Sequence, residues 1–98
     1  MKFDQGESVI INLRDPREKL LGILDEITTA GVTLRGIDLS YFEDWVRSIV
    51  ADEPHLPMND YFFPMWRVER IMRDEPNGEI PSMAEQFEDR TGKNLVEF

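Results

Sequence analysis

Apolar and polar residues alternate over the first third of the chain with the period of two that is typical of β-strands. Val9, Ile11 and Leu13 form one apolar face of a first predicted strand, which ends at a polar turn over 15–18. A second strand is predicted over 19–27, where the internal Gly22 indicates a bend or a close backbone approach. A third short strand follows the next turn and ends at Gly36. Because the loops are short, we expect these strands to be antiparallel neighbours in a strongly bent sheet.

A helical pattern replaces this alternation in the middle of the chain. Ser40 and Glu43 have the spacing of a capping box and precede apolar residues that recur at helical intervals. The pattern predicts a helix from Tyr41 to Ala51, with an apolar face made by Phe42, Trp45, Val46, Ile49 and Val50. A loop with two prolines follows, so the residues of about 38–60 form a helical insert.

One long strand is predicted after this insert, over residues 61–73. Pro64 cannot donate a ladder hydrogen bond, which places it at a strand start or at a sheet edge. Val68 and Ile71 do not fit strict alternation, and this irregularity predicts a β-bulge around Glu69 and Arg70. The strand would complete the sheet begun by the first three.

The C-terminal part predicts a short helix. Residues 82–85 form a second capping box, and Gly92 is suited to end the helix that it opens. Residues 95–98 are a candidate edge strand. Together the elements predict one mostly β (α+β) domain over residues 1–98. It is expected to be a small bent antiparallel β-barrel, with a helix inserted before the last long strand and a short C-terminal helix.

Charge and composition restrict the partners and the chemistry that we expect for this protein. The 98 residues include 20 acidic and 11 basic side chains, for a net charge of −9. Such a surface repels phosphate backbones and anionic lipids, so we expect no membrane contact and regard nucleic acid as an unfavoured partner. The chain has no cysteine, which excludes disulfides and thiolate chemistry. The first residues lack the apolar run of a signal peptide, and we expect a cytoplasmic protein.

The first three predicted strands resemble the first motif of the Sm and Sm-like proteins. The resemblance covers about a quarter to a third of the chain, and the matching residues are Val9, Ile11, Leu13, Asp15, Arg17, Glu18, Gly22, Leu24, Ile27, Val32 and Leu34. The resemblance implies a small SH3-like barrel that assembles into rings and binds uridine-rich RNA. The chain departs from the family where RNA is held, because Thr28 and Gly31 stand where Asp and Asn are usual. The basic-glycine pair of the family's second motif is also displaced, since Arg35-Gly36 ends the third strand.

Groups for catalysis are sparse. The one histidine, His55, lies in an acidic, proline-flanked loop with no serine nearby in sequence, so no nucleophile–base pair is indicated. An exposed loop histidine is the favoured interpretation, and a weak metal site with Asp52, Glu53 and Asp60 is the alternative. We therefore predict no enzyme activity, no cofactor and no metal.

Aromatic residues concentrate in the insert and at the start of the last predicted strand. They are Tyr41, Phe42, Trp45, Tyr61, Phe62, Phe63 and Trp66. One interpretation is that they pack the insert helix against an open end of the barrel. The other is a partly exposed apolar patch for a partner protein or a second copy, because aromatic residues are enriched at interface centres. We choose this aromatic set as the candidate surface for partner binding and self-association.

Arginines near these aromatics suggest a different role. Arg35, Arg67, Arg70 and Arg73 could contact single-stranded nucleic acid together with stacked bases, although their acidic neighbours favour ion pairs. A small sheet also exposes unpaired backbone groups at its edges, which favours a homo-oligomer, either a dimer or a ring. The sequence thus predicts a non-catalytic interaction module that acts through protein–protein contacts and self-association. The alternative is an Sm-like RNA-binding protein.

Overall fold

A single antiparallel sheet of five strands organises the structure. We describe residues 2–98 from a computed structural model, in which the strand order is β4-β3-β2-β1-β5. The strands are β1 (Ser8–Leu13), β2 (Glu18–Ile27), β3 (Gly31–Asp38), β4 (Asn59–Pro64) and β5 (Val68–Arg73). Two α-helices accompany them, α1 (Phe42–Val50) and α2 (Met83–Thr91), with short 3-10 helices at Leu39–Tyr41, Met65–Arg67 and Leu95–Glu97. The predicted α+β class and the β1-β2-β3 meander are confirmed.

The long strand predicted over 61–73 is wrong, because the chain breaks there into β4 and β5. Strand β4 ends at Pro64, and the 3-10 turn Met65–Arg67 follows it at once. This turn connects β4, which pairs with β3 at one edge of the sheet, to β5, which pairs with β1 at the other edge. The predicted bulge is confirmed, since Glu69 is the extra residue between the pairs Asn12–Arg70 and Leu13–Val68.

The sheet is open. Strand β4 pairs with β3 and strand β5 pairs with β1, and within residues 2–98 no ladder joins β4 to β5. Closure into a barrel is therefore not confirmed. Each end of the sheet instead presents one strand with a free side, and Pro64 lies on one of these edge strands, as predicted.

Each face of the sheet carries its own apolar cluster. One face carries the sheet core, which consists of Val9, Ile11, Leu13, Leu20, Leu24, Val32, Leu34 and Phe63. The opposite face carries the helix core, in which α1 and α2 pack through Phe42, Trp45, Val46, Ile49 and Phe87. Neighbouring residues of β2 belong to different clusters, Leu20 to the first and Leu21 to the second. This follows from the alternation of side chains along a strand.

The helix ends show which predicted caps form. The capping box of Ser82 and Glu85 is confirmed, and Gly92 ends α2 in the left-handed region at φ 71°. The box predicted for Ser40 is wrong, because the carboxylate of Asp38 accepts the Ser40 N–H at 2.8 Å and caps the preceding 3-10 turn. Neither helix of residues 2–98 has the length and apolar character needed to cross a bilayer.

The C-terminal residues form no edge strand, contrary to the prediction. Leu95–Glu97 is a 3-10 turn, and the Phe98 ring packs against the helix core. Its centroid lies 5.7 Å from that of Trp45 and 5.3 Å from that of Phe87, both with nearly perpendicular rings. The segment therefore covers the helix core instead of extending the sheet.

Gly22 lies at a close approach of two strands, in agreement with its prediction. It pairs with Gly36 across β2 and β3. A Cβ atom on Gly22 would lie 2.7 Å from Leu34 Cδ1, and one on Gly36 would lie 2.6 Å from the Leu21 carbonyl oxygen. The glycine pair thus leaves the space that the Leu34 side chain occupies at this bend.

Candidate interaction surface at the β4 edge

The outer side of β4 (Asn59–Pro64) is a free backbone edge. The Phe63 carbonyl faces Gly31 of β3, and the Met65 N–H donates to the Ala30 carbonyl at 2.9 Å. Because backbone groups alternate in direction along an antiparallel strand, the N–H and C=O groups of Asp60 and Phe62 face away from the sheet. No hydrogen-bond partner for these outward groups lies within residues 2–98. This side of β4 can therefore accept a further strand.

Exposed aromatic side chains flank this edge. Phe62 retains 56% of its surface and Trp66, on the turn just after β4, retains 59%. The cross-strand register explains why Phe62 and Phe63 differ, since Phe62 pairs with Thr33 and Phe63 pairs with the core residue Val32. Large exposed aromatics beside an unpaired strand edge are typical of a contact surface.

The other five predicted aromatics lie elsewhere. Phe42 and Trp45 are buried in the helix core, and Tyr41 packs against its border. Phe63 is buried in the sheet core, where the Tyr61 ring stacks on it with centroids 5.2 Å apart. The structure thus brings only Phe62 and Trp66 of the predicted set to the exposed surface of the β4 edge. Phe42 and Trp45 pack the insert helix onto the sheet, whereas Phe63 packs among strand residues only.

Arg35 and Arg67, two of the four candidate nucleic-acid contacts, are bound within the fold. Arg35 pairs with Asp60 at 3.3 Å and donates to the Phe98 carbonyl at 2.7 Å. Arg67 donates to Glu18 at 2.8 Å and to the Pro16 carbonyl at 2.9 Å, which braces the turn between β1 and β2. These guanidinium groups have structural partners that a phosphate would have to displace.

Arg70 and Arg73, on β5, are also engaged. The Asn12 amide is assigned with its oxygen toward Arg70, the orientation in which it accepts from Nε at 2.6 Å. Arg73 donates to the Glu7 carboxylate and to the Lys2 carbonyl. The bond from Arg73 lowers the pKa of Glu7, and the same bond raises the pKa of Arg73.

The free side of β5 differs from that of β4 because it is interrupted. The bulge at Glu69 breaks the regular spacing of the strand. At its end the Arg73 side chain is held by the N-terminal segment, since its guanidinium lies 5.0 Å from the Phe3 ring centroid and donates to the Lys2 carbonyl. Bulges and charged side chains are common devices that prevent edge pairing.

The acidic loop around His55 does not assemble a metal site. Within residues 2–98, no group of three or more His, Cys, Asp or Glu side chains is close enough to hold a metal ion. The His55 ring lies 5.7 Å from the Phe98 ring, and Asp60 faces Arg35 on the sheet. His55 and Asp60, two residues of the alternative metal site, therefore contact different neighbours, Phe98 and Arg35.

An open groove of about 640 Å³ lies on the sheet face between the N-terminal turn and the C-terminal 3-10 helix. Ile23 and Val96 supply apolar surface there, while Asp25, Arg35 and Asp60 supply charge. Gln5 donates to Asp25 at 2.9 Å, and Asp60 is paired with Arg35. The charged groups of the groove thus largely satisfy one another.

Asp74 caps the start of α2 and links it to the sheet, a role that was not predicted from the sequence. Its two oxygens accept the N–H groups of Met83 and Ala84 at 2.7 and 2.9 Å, at the start of α2. It also accepts from the Ser8 hydroxyl at 3.0 Å, which ties α2 to β1. The spacing between Asp74 and this helix matches no local capping motif, so the sequence carries no signal for the contact.

Comparisons of the chain with protein-family models, with curated proteins and with solved structures find no match.

Proposed function

We propose that the protein is a non-catalytic interaction module that works through protein–protein contacts, including contacts with a second copy of itself. The free edge of β4 carries this proposal. Its outward backbone groups at Asp60 and Phe62 supply hydrogen bonds to an added strand, and the exposed Phe62 and Trp66 supply apolar area beside them. Strand addition at such an edge is a common mode of protein recognition.

We further infer that the sheet is a small barrel of the Sm-like kind whose two edge strands are left unpaired. The β1-β2-β3 meander and the short turn between β4 and β5 support this inference. RNA binding gains no support from the arginines, because Arg35, Arg67 and Arg73 are held by carboxylates and backbone carbonyls. Protein contact is therefore the function that we favour over RNA binding.

Sedimentation velocity on the wild-type chain over a wide concentration series tests the proposal. We expect the weight-average mass to rise with concentration. The variant Phe62→Lys should weaken association by about tenfold or more, because a lysine on an edge strand opposes pairing and an interface aromatic is lost.

Ile80→Lys is the matched control, since Ile80 is similarly exposed, at 63%, but lies in the turn between β5 and α2 and not on β4. Circular dichroism should show that both variants are folded. A wild-type chain that stays monomeric up to its solubility limit would refute self-association. Salt-sensitive binding to oligo-uridine would instead revive the RNA alternative.

A further inference from the structure

The two free edges of the sheet are not equivalent, and this difference selects the surface that meets a partner. Along β5, the bulge at Glu69 disturbs the row of backbone groups, and the N-terminal segment holds the charged Arg73 side chain at the end of the strand. Along β4, the strand is regular over its six residues and pairs with β3 without a register shift. A strand that joins this sheet therefore meets fewer obstacles at β4.

Charge decides which kind of strand can join. Two copies that each carry a net charge of −9 repel one another over most of their surfaces. Strand β4 is an exception, because Asp60 is its single charged residue and Arg35 neutralises it at 3.3 Å. The β4 edge is thus a place where two acidic copies can approach with little like-charge repulsion.

We propose, on the basis of the function inferred above, that the partner at this edge is a second copy of the chain. The two β4 strands pair antiparallel about a twofold axis at Phe62. Each Phe62 then exchanges two backbone hydrogen bonds with its symmetry mate, and each Asp60 N–H donates to the Pro64 carbonyl of the other copy. Pro64 has no N–H to donate in return to the Asp60 carbonyl, so each of these pairs has one hydrogen bond where a regular pair has two.

The position of the axis follows from charge and from aromatic contact. With the axis at Phe62, the two Asp60 residues are four positions apart along the seam, which is about 14 Å. This exceeds the Debye length of about 8 Å at physiological salt. An axis at Tyr61 would halve the separation along the strands and would move the two Phe62 rings apart. The Phe62-centred register therefore combines the weaker repulsion with a cross-strand aromatic pair.

The pairing is self-limiting. A twofold contact uses the same surface on both copies, so a β4–β4 seam consumes both open edges and leaves the two interrupted β5 edges outside. The expected product is a dimer with one continuous sheet of ten strands. A head-to-tail contact between β4 and β5 would instead produce a ring or a filament.

Single-cysteine cross-linking tests the register, and the native chain has no cysteine to interfere. The variants Asp60→Cys and Pro64→Cys are prepared separately, so Phe62 is retained in both. Mixed and oxidised, they should form a disulfide-linked dimer, because residues 60 and 64 face each other across the seam. Each variant oxidised alone should stay monomeric on a non-reducing gel, since its cysteines lie beyond the reach of about 7 Å between Cα atoms.

Met72→Cys is the control on β5, where Met72 is partly exposed. Cross-linking between Asp60→Cys and Met72→Cys would overturn the twofold arrangement in favour of a β4–β5 contact. Disulfide formation by Asp60→Cys alone would overturn the Phe62-centred register. An associating chain with no β4 cross-link would refute this inference but leave self-association intact, whereas a wild-type chain that is monomeric by sedimentation velocity would refute self-association as well.

Discussion

Replacing Trp45 with phenylalanine should destabilise the protein strongly, and much more than the same replacement at the other tryptophan, Trp66. The Trp45 side chain is fully buried, and its Nε1–H donates to the Leu56 carbonyl at 2.7 Å. Its ring stacks on Phe87 with centroids 5.0 Å apart, which links α1 (Phe42–Val50) to α2 (Met83–Thr91). Phenylalanine preserves part of this stacking but removes the hydrogen bond and leaves a void beside the Leu56 loop.

The size of the loss can be worked from these contacts. The hydrogen bond is worth about 1 kcal/mol, and the incompletely filled space adds about 1–2 kcal/mol. The total of about 2–3 kcal/mol should lower the melting temperature by roughly 10–20 °C for a domain of this size. Urea unfolding followed by far-UV circular dichroism, at a concentration where the chain is monomeric, measures the change in the free energy of unfolding.

Trp66→Phe is the matched control, because the chain has two tryptophans and Trp66 is 59% exposed. We expect this variant to lie within about 0.5 kcal/mol of the wild type. If Trp45→Phe also fell within that range, or if the two variants were equally destabilised, Trp45 would not be the centre of the helix core.

Two further predictions concern charged groups that hold the sheet. Arg67→Met removes the bonds to Glu18 and to the Pro16 carbonyl, and we expect a loss of about 2 kcal/mol in urea unfolding, against about 0.5 kcal/mol for an Arg70→Met control. Equal losses would contradict a bracing role for Arg67. Arg73 lowers the pKa of Glu7, so the stability from this pair is present above about pH 4.3 and is lost as the pH falls through the lowered pKa. Urea unfolding should therefore show a gap in the free energy of unfolding between wild type and Glu7→Gln near neutral pH that narrows as the solution is acidified through the lowered pKa of Glu7, and a gap that stays constant with pH would refute the pairing.

The early part of the fold was predictable because local signals specify it. The alternation of Val9, Ile11 and Leu13 indicates one buried face of a strand. The short turns that follow favour antiparallel pairing of consecutive strands, which is a meander. The break after Pro64 was not predictable in the same way. The segment Met65–Arg67 contains no glycine or asparagine, and its apolar residues look like a continuing strand. Its 3-10 turn depends on the distant partners Ala30 and Arg14, to which it is hydrogen-bonded.

The sequence was also insufficient to predict which aromatic residues are exposed at the candidate surface. The helical spacing of Phe42 and Trp45 is compatible with a buried face, and both are indeed in the helix core. The adjacent Phe62 and Phe63 carry no local sign of which one is exposed, because alternation fixes only that they point to opposite faces. The pairing of Phe63 with Val32 makes this choice, and the pairing depends on the whole chain between β3 and β4.

The position of β1 between β2 and β5 has a consequence for how the chain avoids aggregation while it folds. Strand β2 follows β1 directly, whereas β5 (Val68–Arg73) joins β1 from beyond the helical insert, and such distant contacts form at a higher entropic cost. Until β5 docks, the apolar segment V-I-I-N-L at residues 9–13 is an exposed edge without proline, a composition prone to cross-β association. The charges of Glu7 and Arg14 at its two ends act as gatekeepers during this interval. Substitutions that delay the docking of β5 should therefore lower soluble yield even where the finished fold is barely destabilised.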